Sequence, residues 1–123
     1  MVVKWTQLNK KGLEKVTSIG KAAAKLFNEK GYLETSMEEI ATAANVSKGG
    51  IYHYFPSKHG ILYFILTDYM DSMLKILEKD LQKVEDGLPK IKRIISAHIE
   101  FYRKNVAESK ILLHEAQFLP LKY

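Results

Sequence analysis

A chain of 123 residues, 46% apolar and 27% charged, has room for one packed domain, or for a small domain and part of a second. It has no cysteine, which excludes disulfides and thiolate metal sites. Its longest apolar run, Ile61 to Leu66, is far too short to span a bilayer, and the opening MVVKWTQLNKK lacks the apolar core of a secretion signal. The net charge of +5 is uneven: residues 1–60 hold nine lysines against five acids, residues 61–123 ten basic against nine acidic residues.

The basic first half suits a polyanion such as DNA, the alternative being a solvated lysine-rich surface. Without a membrane or export signal, the expected location is the cytoplasm.

The pattern predicts helices throughout, with proline only at 56, 89 and 120. A first helix spans roughly Asn9 to Lys30. Leu13, Val16, Gly20, Ala23 and Phe27 recur at spacings of three and four on one face, and Gly31 suits a left-handed helix end. A second begins after Ser36, which forms a capping box with Glu39, and stops near Asn45. Its apolar side is Met37, Ile40, Ala41 and Ala44.

A third helix starts at the N-cap Ser47 and ends before Pro56. Ser57 caps a fourth, about 58–86, whose stripe runs Leu62, Leu66, Tyr69, Met73, Leu77, Leu81, Val84. Gly87 and Pro89 break it. A fifth helix carries Ile91, Ile94, Ile95, His98, Ile99 and Tyr102. A sixth, from about Glu108, carries Ile111, Leu112, Glu115 and Phe118.

Residues 37–44 and 48–54 are two short helices joined by Asn45-Val46, the dimensions of a helix-turn-helix. Asn tolerates positive φ, Val46 would plug the angle between the helices, and Ala41 with Ala43 or Ala44 would let them close. The consecutive Gly49 and Gly50 each cost the third helix about 1 kcal/mol relative to alanine. Close approach of the backbone to DNA would explain them, and a frayed first turn is the alternative. Ile51 and Phe55 would face inward. Tyr52 and Lys48 would then face a groove, with Lys58 at the next helix start as a third phosphate donor.

The segment TSMEEIATAANVSKGGIYHYFPSKHGIL resembles the DNA-binding signature of the TetR (tetracycline repressor) family, also called TetR/AcrR. The likeness extends over about residues 12–66 and includes Ala23, Phe27 and Gly31-Tyr32. It implies an all-α chain in which a three-helix DNA-binding domain at 1–57 is followed by the first helices of a ligand and dimerisation domain at 58–123. It also implies a DNA contact set. Ser36 would meet a phosphate, Ser47, Lys48, Gly49, Gly50 and His53 would lie over bases or backbone, and Tyr52, Tyr54 and Lys58 would bind phosphates. Many members carry Thr or Ser at the Gly50 position, so base readout here rests on few side chains and on DNA shape.

The resemblance implies a transcriptional regulator, in the repressor mode, bound to a palindromic double-stranded operator. It implies a homodimer in the full-length form and a small-molecule effector that moves helix four. Family chains are usually longer, so a fragment is expected. Met70, Met73, His98, Tyr102 and His114 are candidates to contact the effector, and core or surface positions in a bundle are the alternative. HEAQFLP weakly resembles fatty-acid-responsive members. No cofactor, metal site or enzymatic machinery is expected. The competing function is a helical protein-interaction module that keeps the fold without binding DNA.

Overall fold

A computed structural model describes residues 7–122 of the chain, so the reading of the first residues as carrying no export signal lies partly outside it. Six helices follow in order: α1 Lys10–Lys30, α2 Met37–Ala43, α3 Lys48–Tyr54, α4 Lys58–Leu81, α5 Leu88–Lys104 and α6 Val106–His114. A 3₁₀ turn at Ala116–Phe118 follows them. There is no strand among the described residues, and no helix there is long and apolar enough to cross a membrane.

Local chemistry sets the helix starts. The Asn9 side chain caps α1 through the Gly12 amide at 2.8 Å. Ser36, Ser47 and Ser57 do the same for α2, α3 and α4, each accepting from the amide three residues on. Gly31 ends α1 at φ 95°, ψ 154°. Its φ is positive, but its ψ lies outside the left-handed helical region expected from sequence, in a region open essentially to glycine alone.

The core is one cluster built around α1 and the start of α4. Val16, Ile19, Ala23 and Phe27 of α1 pack with Ile40 of α2, Ile51 and Phe55 at α3, and Ile61, Leu62 and Ile65 of α4. Gly20 permits the close crossing of α1 and α4, since a Cβ there would lie 2.8 Å from the Phe64 ring. Leu13, expected on the inner stripe of α1, is instead exposed, while its neighbour Gly12 is buried.

The second half departs further from the periodic reading. α4 ends at Leu81, about a turn earlier than expected, and the chain turns through residues 82–87 into α5. Gly87, at φ 91°, leads α5, with Pro89 in its first turn. α4 and α5 pair as an antiparallel hairpin, with Tyr69 edge-on to Phe101 at 4.9 Å and Arg93 bonded to Asp80 at 2.6 Å. Ala97 and Phe101 are the buried side of α5. Of the residues the sequence places on this helix, Ile91, Ile95, His98, Ile99 and Tyr102 are exposed, the three isoleucines by 55–57%, and Ile94 is half-buried. α6 begins at Val106, directly after Asn105, rather than at Glu108.

α6 returns the chain to α1. Ile111 joins the main cluster, Asn28 donates to the Ala107 carbonyl at 2.9 Å, and the buried Ser109 hydroxyl donates to the Tyr69 hydroxyl at 2.8 Å. Phe118 then stacks on Tyr32, centroids 5.4 Å apart and planes 9° from parallel. A single buried cluster therefore spans residue 57.

Candidate nucleic-acid interface

α2 and α3 meet through a turn that only a few residue types accept. Asn45 has φ 56°, the one positive φ outside glycine among the described residues. Val46 tucks back with its amide on the Ala41 carbonyl at 2.9 Å and its side chain against the core. Ala41 is buried and Ala44 half-buried at the contact, while Ala43 faces out.

α2 is tightly fixed at its start. The Glu39 amide donates to Ser36 Oγ at 3.1 Å, and the Ser36 amide and hydroxyl donate to Glu39 Oε1 at 3.3 and 3.1 Å. The Glu39 carboxyl is held below its ordinary value, first by the Lys30 ammonium bonded to it and then by these Ser36 bonds. The Ser36 hydroxyl proton is thus engaged inside the chain, and the position offers a phosphate a helix start rather than a free donor.

α3 has two unlike sides. Ile51 and Phe55 are fully buried, with the Phe55 ring 5.8 Å from Phe64. Lys48, Gly49, Tyr52 and His53 are exposed opposite them. A Cβ at Gly49 would meet nothing within 4 Å, so nothing inside the chain requires glycine there. Gly50 differs, because a Cβ would lie 2.9 Å from Ser47 Oγ, the atom that caps α3 through the Gly50 amide. Tyr54 is half-buried against the core, edge-on to His53 at 4.9 Å. Lys48 pairs with Glu38 at 3.2 Å, an exposed contact of small worth. Hydrogen bonding to its own backbone amide, then Lys48, lowers the Glu38 carboxyl's affinity for its proton.

Lys58 has a part that its position in the sequence does not reveal. Its ammonium donates to the Tyr32 carbonyl at 2.6 Å and the Thr35 carbonyl at 3.1 Å, and lies 4.3 Å from the centre of the Tyr32 ring. The α1–α2 connection is thereby pinned to the start of α4. Partial burial lowers the Lys58 pKa, and Glu34 opposes that shift. The simple picture of a solvent-facing phosphate hook is corrected accordingly: two of its three donors are spent internally.

One neighbour was missed by sequence reasoning. The start of α1 lies beside the end of α3, where Asn9, Lys11 and Gly12 share a shallow cleft with His53 and Tyr54. The lysine pair at 10 and 11 was the available signal, but periodicity places those residues only on α1's outer side.

The five effector candidates do not converge. Met70, His98, Tyr102 and His114 are exposed and Met73 is half-buried. His98 Nδ1 lies 2.8 Å from the Ile94 carbonyl of its own helix. None lines the cleft between α1, α4 and the α5–α6 junction, which is walled by Gly20, Lys21, Asp68, Tyr69, Phe101 and Asn105. At ≈ 70 Å³ that cleft is too small for an effector of ordinary size. No group of three or more metal-ligating side chains is found among the described residues.

Comparison with known proteins now decides the family. Residues 19–63 match the family described as bacterial regulatory proteins, tetR family. The helix-turn-helix segment of the chain, residues 19–63, is of the TetR family. An uncharacterized HTH-type transcriptional regulator, YuxN of Bacillus subtilis strain 168, is 48% identical over 58 residues, covering 47% of this chain and 20% of that protein. The fatty acid metabolism regulator protein of the same organism is 31% identical over 77 residues, covering 63% and 40%. A crystal structure of a TetR-family transcriptional regulator from Bordetella parapertussis 12822 superposes with TM-score 0.79 at 31% identity, covering 86% of this chain and 55% of that one. The chain therefore spans between a fifth and about half the length of these TetR-family relatives. The helical arrangement is shared with the Bordetella structure over the superposed region.

Proposed function

We propose that this chain is a sequence-specific DNA-binding transcriptional regulator that lays α3 in the major groove. The two-sidedness of α3 carries the reading: Ile51 and Phe55 anchor one side in the core, and Lys48, Gly49, Tyr52 and His53 leave the other open. Lys48 and Tyr52 supply phosphate or base-edge donors. Gly49 lets the backbone approach where a side chain would stand off. Gly50 contributes a capped amide end with Ser47, and Ser36 brings the α2 start toward a phosphate. Tyr54 and Lys58 act mainly by positioning, Tyr54 against the core and Lys58 on the Tyr32–Thr35 connection, with the third Lys58 donor left for phosphate. Lys11, beside His53 and Tyr54, adds a contact from α1.

On this reading residues 1–57 form the DNA-contacting part and 58–123 the start of a regulatory part, in a cytoplasmic repressor on a palindromic operator. Regulators of the TetR family commonly act as dimers with small-molecule effectors. The similarity to a fatty acid metabolism regulator favours an apolar, acyl-type effector.

Fluorescence anisotropy against the DNA upstream of the chain's own gene, across a salt series, tests the proposal. Affinity should fall steeply with salt, and Lys48→Ala should flatten the log–log slope by about one unit. Tyr52→Phe should weaken binding with the slope kept. Affinity indifferent to both substitutions would overturn the assignment.

A further inference from the structure

The α2–α3 unit carries a carboxylate where a polyanion is expected to dock. Its two helices hold two acids, Glu38 and Glu39. Glu39 is taken up by the α2 cap and the Lys30 ammonium. Glu38 is exposed, and its Oε1 lies 3.2 Å from Nζ of Lys48, the first residue of α3. Unlike Lys90–Asp86 and Lys104–Glu100, which pair residues four apart, this contact crosses the Asn45 turn and joins the two helices.

Stability does not account for that contact. An acid in the first turn of α2 favours the helix start, but this does not require a reach across to α3. An exposed ion pair adds little to folding. For binding, an ionised carboxylate at this place repels phosphate and lowers affinity for every duplex alike. The Glu38 carboxyl does stay ionised at neutral pH, because hydrogen bonding to its own backbone amide and then to Lys48 lowers its pKa.

The pair matches one base-pair edge. The N-terminal residues of a recognition helix meet base edges, so Lys48 carries Glu38 to the groove with it. Across the major groove a G·C pair presents the acceptors N7 and O6 of guanine, then the N4 amino group of cytosine. O6 and N4 are joined by a Watson–Crick hydrogen bond and stand about 2.9 Å apart. The 3.2 Å between the Glu38 oxygen and the Lys48 nitrogen is nearly the same span. Laid on that edge, the ammonium donates to O6 and N7, and the carboxylate accepts from N4. An A·T pair fits less well. Its single amino group, N6 of adenine, lies between two acceptors that repel a carboxylate, and the thymine methyl adjoins the second.

We propose that Glu38 is a specificity-determining residue, and that the Glu38–Lys48 pair reads one G·C base pair in each half-site. Away from such a pair, the carboxylate holds the ammonium and keeps phosphate off, which suppresses binding to unrelated sequence. The inference rests on the reading of α3 as the groove-binding helix.

Selection from a randomised duplex library, followed by fluorescence anisotropy on the selected duplex, tests it. The unaltered chain should select G·C at one fixed position of each half-site, and exchange to A·T there should weaken binding by about ten-fold. Glu38→Ala should lose the preference at that position alone. It should bind unrelated DNA several-fold more tightly, with a salt slope steeper by about one unit. Glu38→Gln, whose amide both donates and accepts, should admit A·T at the same position, a change that a merely structural role would not produce. Sequence preferences left intact by Glu38→Ala overturn the proposal alone. So does a loss spread evenly over all positions. An unaltered chain that prefers no sequence overturns the sequence-specific reading of α3, and the proposal with it.

Discussion

Residues 10–66 and residues 70–119 are both built from amphipathic helices, but they settle their apolar faces differently. Sixteen of the twenty buried apolar residues lie at or before Leu66, where α1, α2, α3 and the first turns of α4 close on one another. After that point the buried apolar residues among those described are Tyr69, Ala97, Phe101 and Ile111, and the most regular apolar row, on α5, faces solvent. The first region spends its hydrophobic surface on internal closure, which holds α3 rigidly enough to present a fixed face. The second keeps a broad apolar surface in reserve, and periodicity alone does not say which kind of partner a stripe will meet.

The largest contrast should appear in the core. Phe55→Ala should cost about 3–5 kcal/mol in chemical denaturation. Ile95→Ala, measured in dilute monomer, should change stability by no more than about 0.5 kcal/mol. Comparable losses at the two sites would break the distinction between the regions. Ser36→Ala removes the α2 cap and should cost about 1 kcal/mol, visible as an earlier urea midpoint with an unchanged m-value.

Gly49→Ala separates stability from function within the first region. The added methyl meets nothing in the chain, so the variant should be more stable by about 0.5–1 kcal/mol. DNA affinity should nevertheless fall by roughly ten-fold, about 1.4 kcal/mol, if the groove comes close to that backbone. A variant that gains stability and keeps its affinity would remove the closeness argument.

The smallest effect lies where the regions join. Asp68 is held above its ordinary value, first by partial burial at the rim of the α1–α4 cleft and then by Asp71. Lys21 and Lys75 oppose the shift and Glu108 adds to it. The folded state thus holds this proton more tightly than the unfolded chain. The resulting stability is present below the ordinary value of 3.8 and is lost as pH rises through the raised folded value. Asp68→Asn should raise the melting temperature slightly at neutral pH and leave it unchanged in acid. A loss at neutral pH would mean that Lys21 outweighs the burial.

The helix-turn-helix was legible because its signals are local. Ser36 with Glu39, Ser47 three residues before Gly50, Asn45 at a positive φ and Pro56 at the end each act within four residues. The inward pair Ile51 and Phe55 followed from spacing alone. The part played by Lys58 was not legible, because its partners are the carbonyls of Tyr32 and Thr35, more than twenty residues away. Neither was the stacking of Phe118 on Tyr32, a contact across 86 positions. The inner side of α5 was not legible for a related reason. Ile91, Ile95 and Ile99 make a stronger stripe than Ala97 and Phe101, but which side turns inward is set by where Tyr69 and Asp80 stand on α4.

Because Phe118 seals Tyr32, the helix-turn-helix is not a free cassette. A chimera joining its first three helices to a foreign second half would lose the Lys58 ammonium, and with it the bonds that tie the Tyr32 and Thr35 carbonyls to the start of α4. It would also open the flat face of the Tyr32 ring to water. A recipient would need an aromatic or aliphatic lid at the same place. Recombination that exchanges sensing halves would therefore be tolerated at breakpoints within the exposed middle of α4 only when the incoming segment brings such a lid.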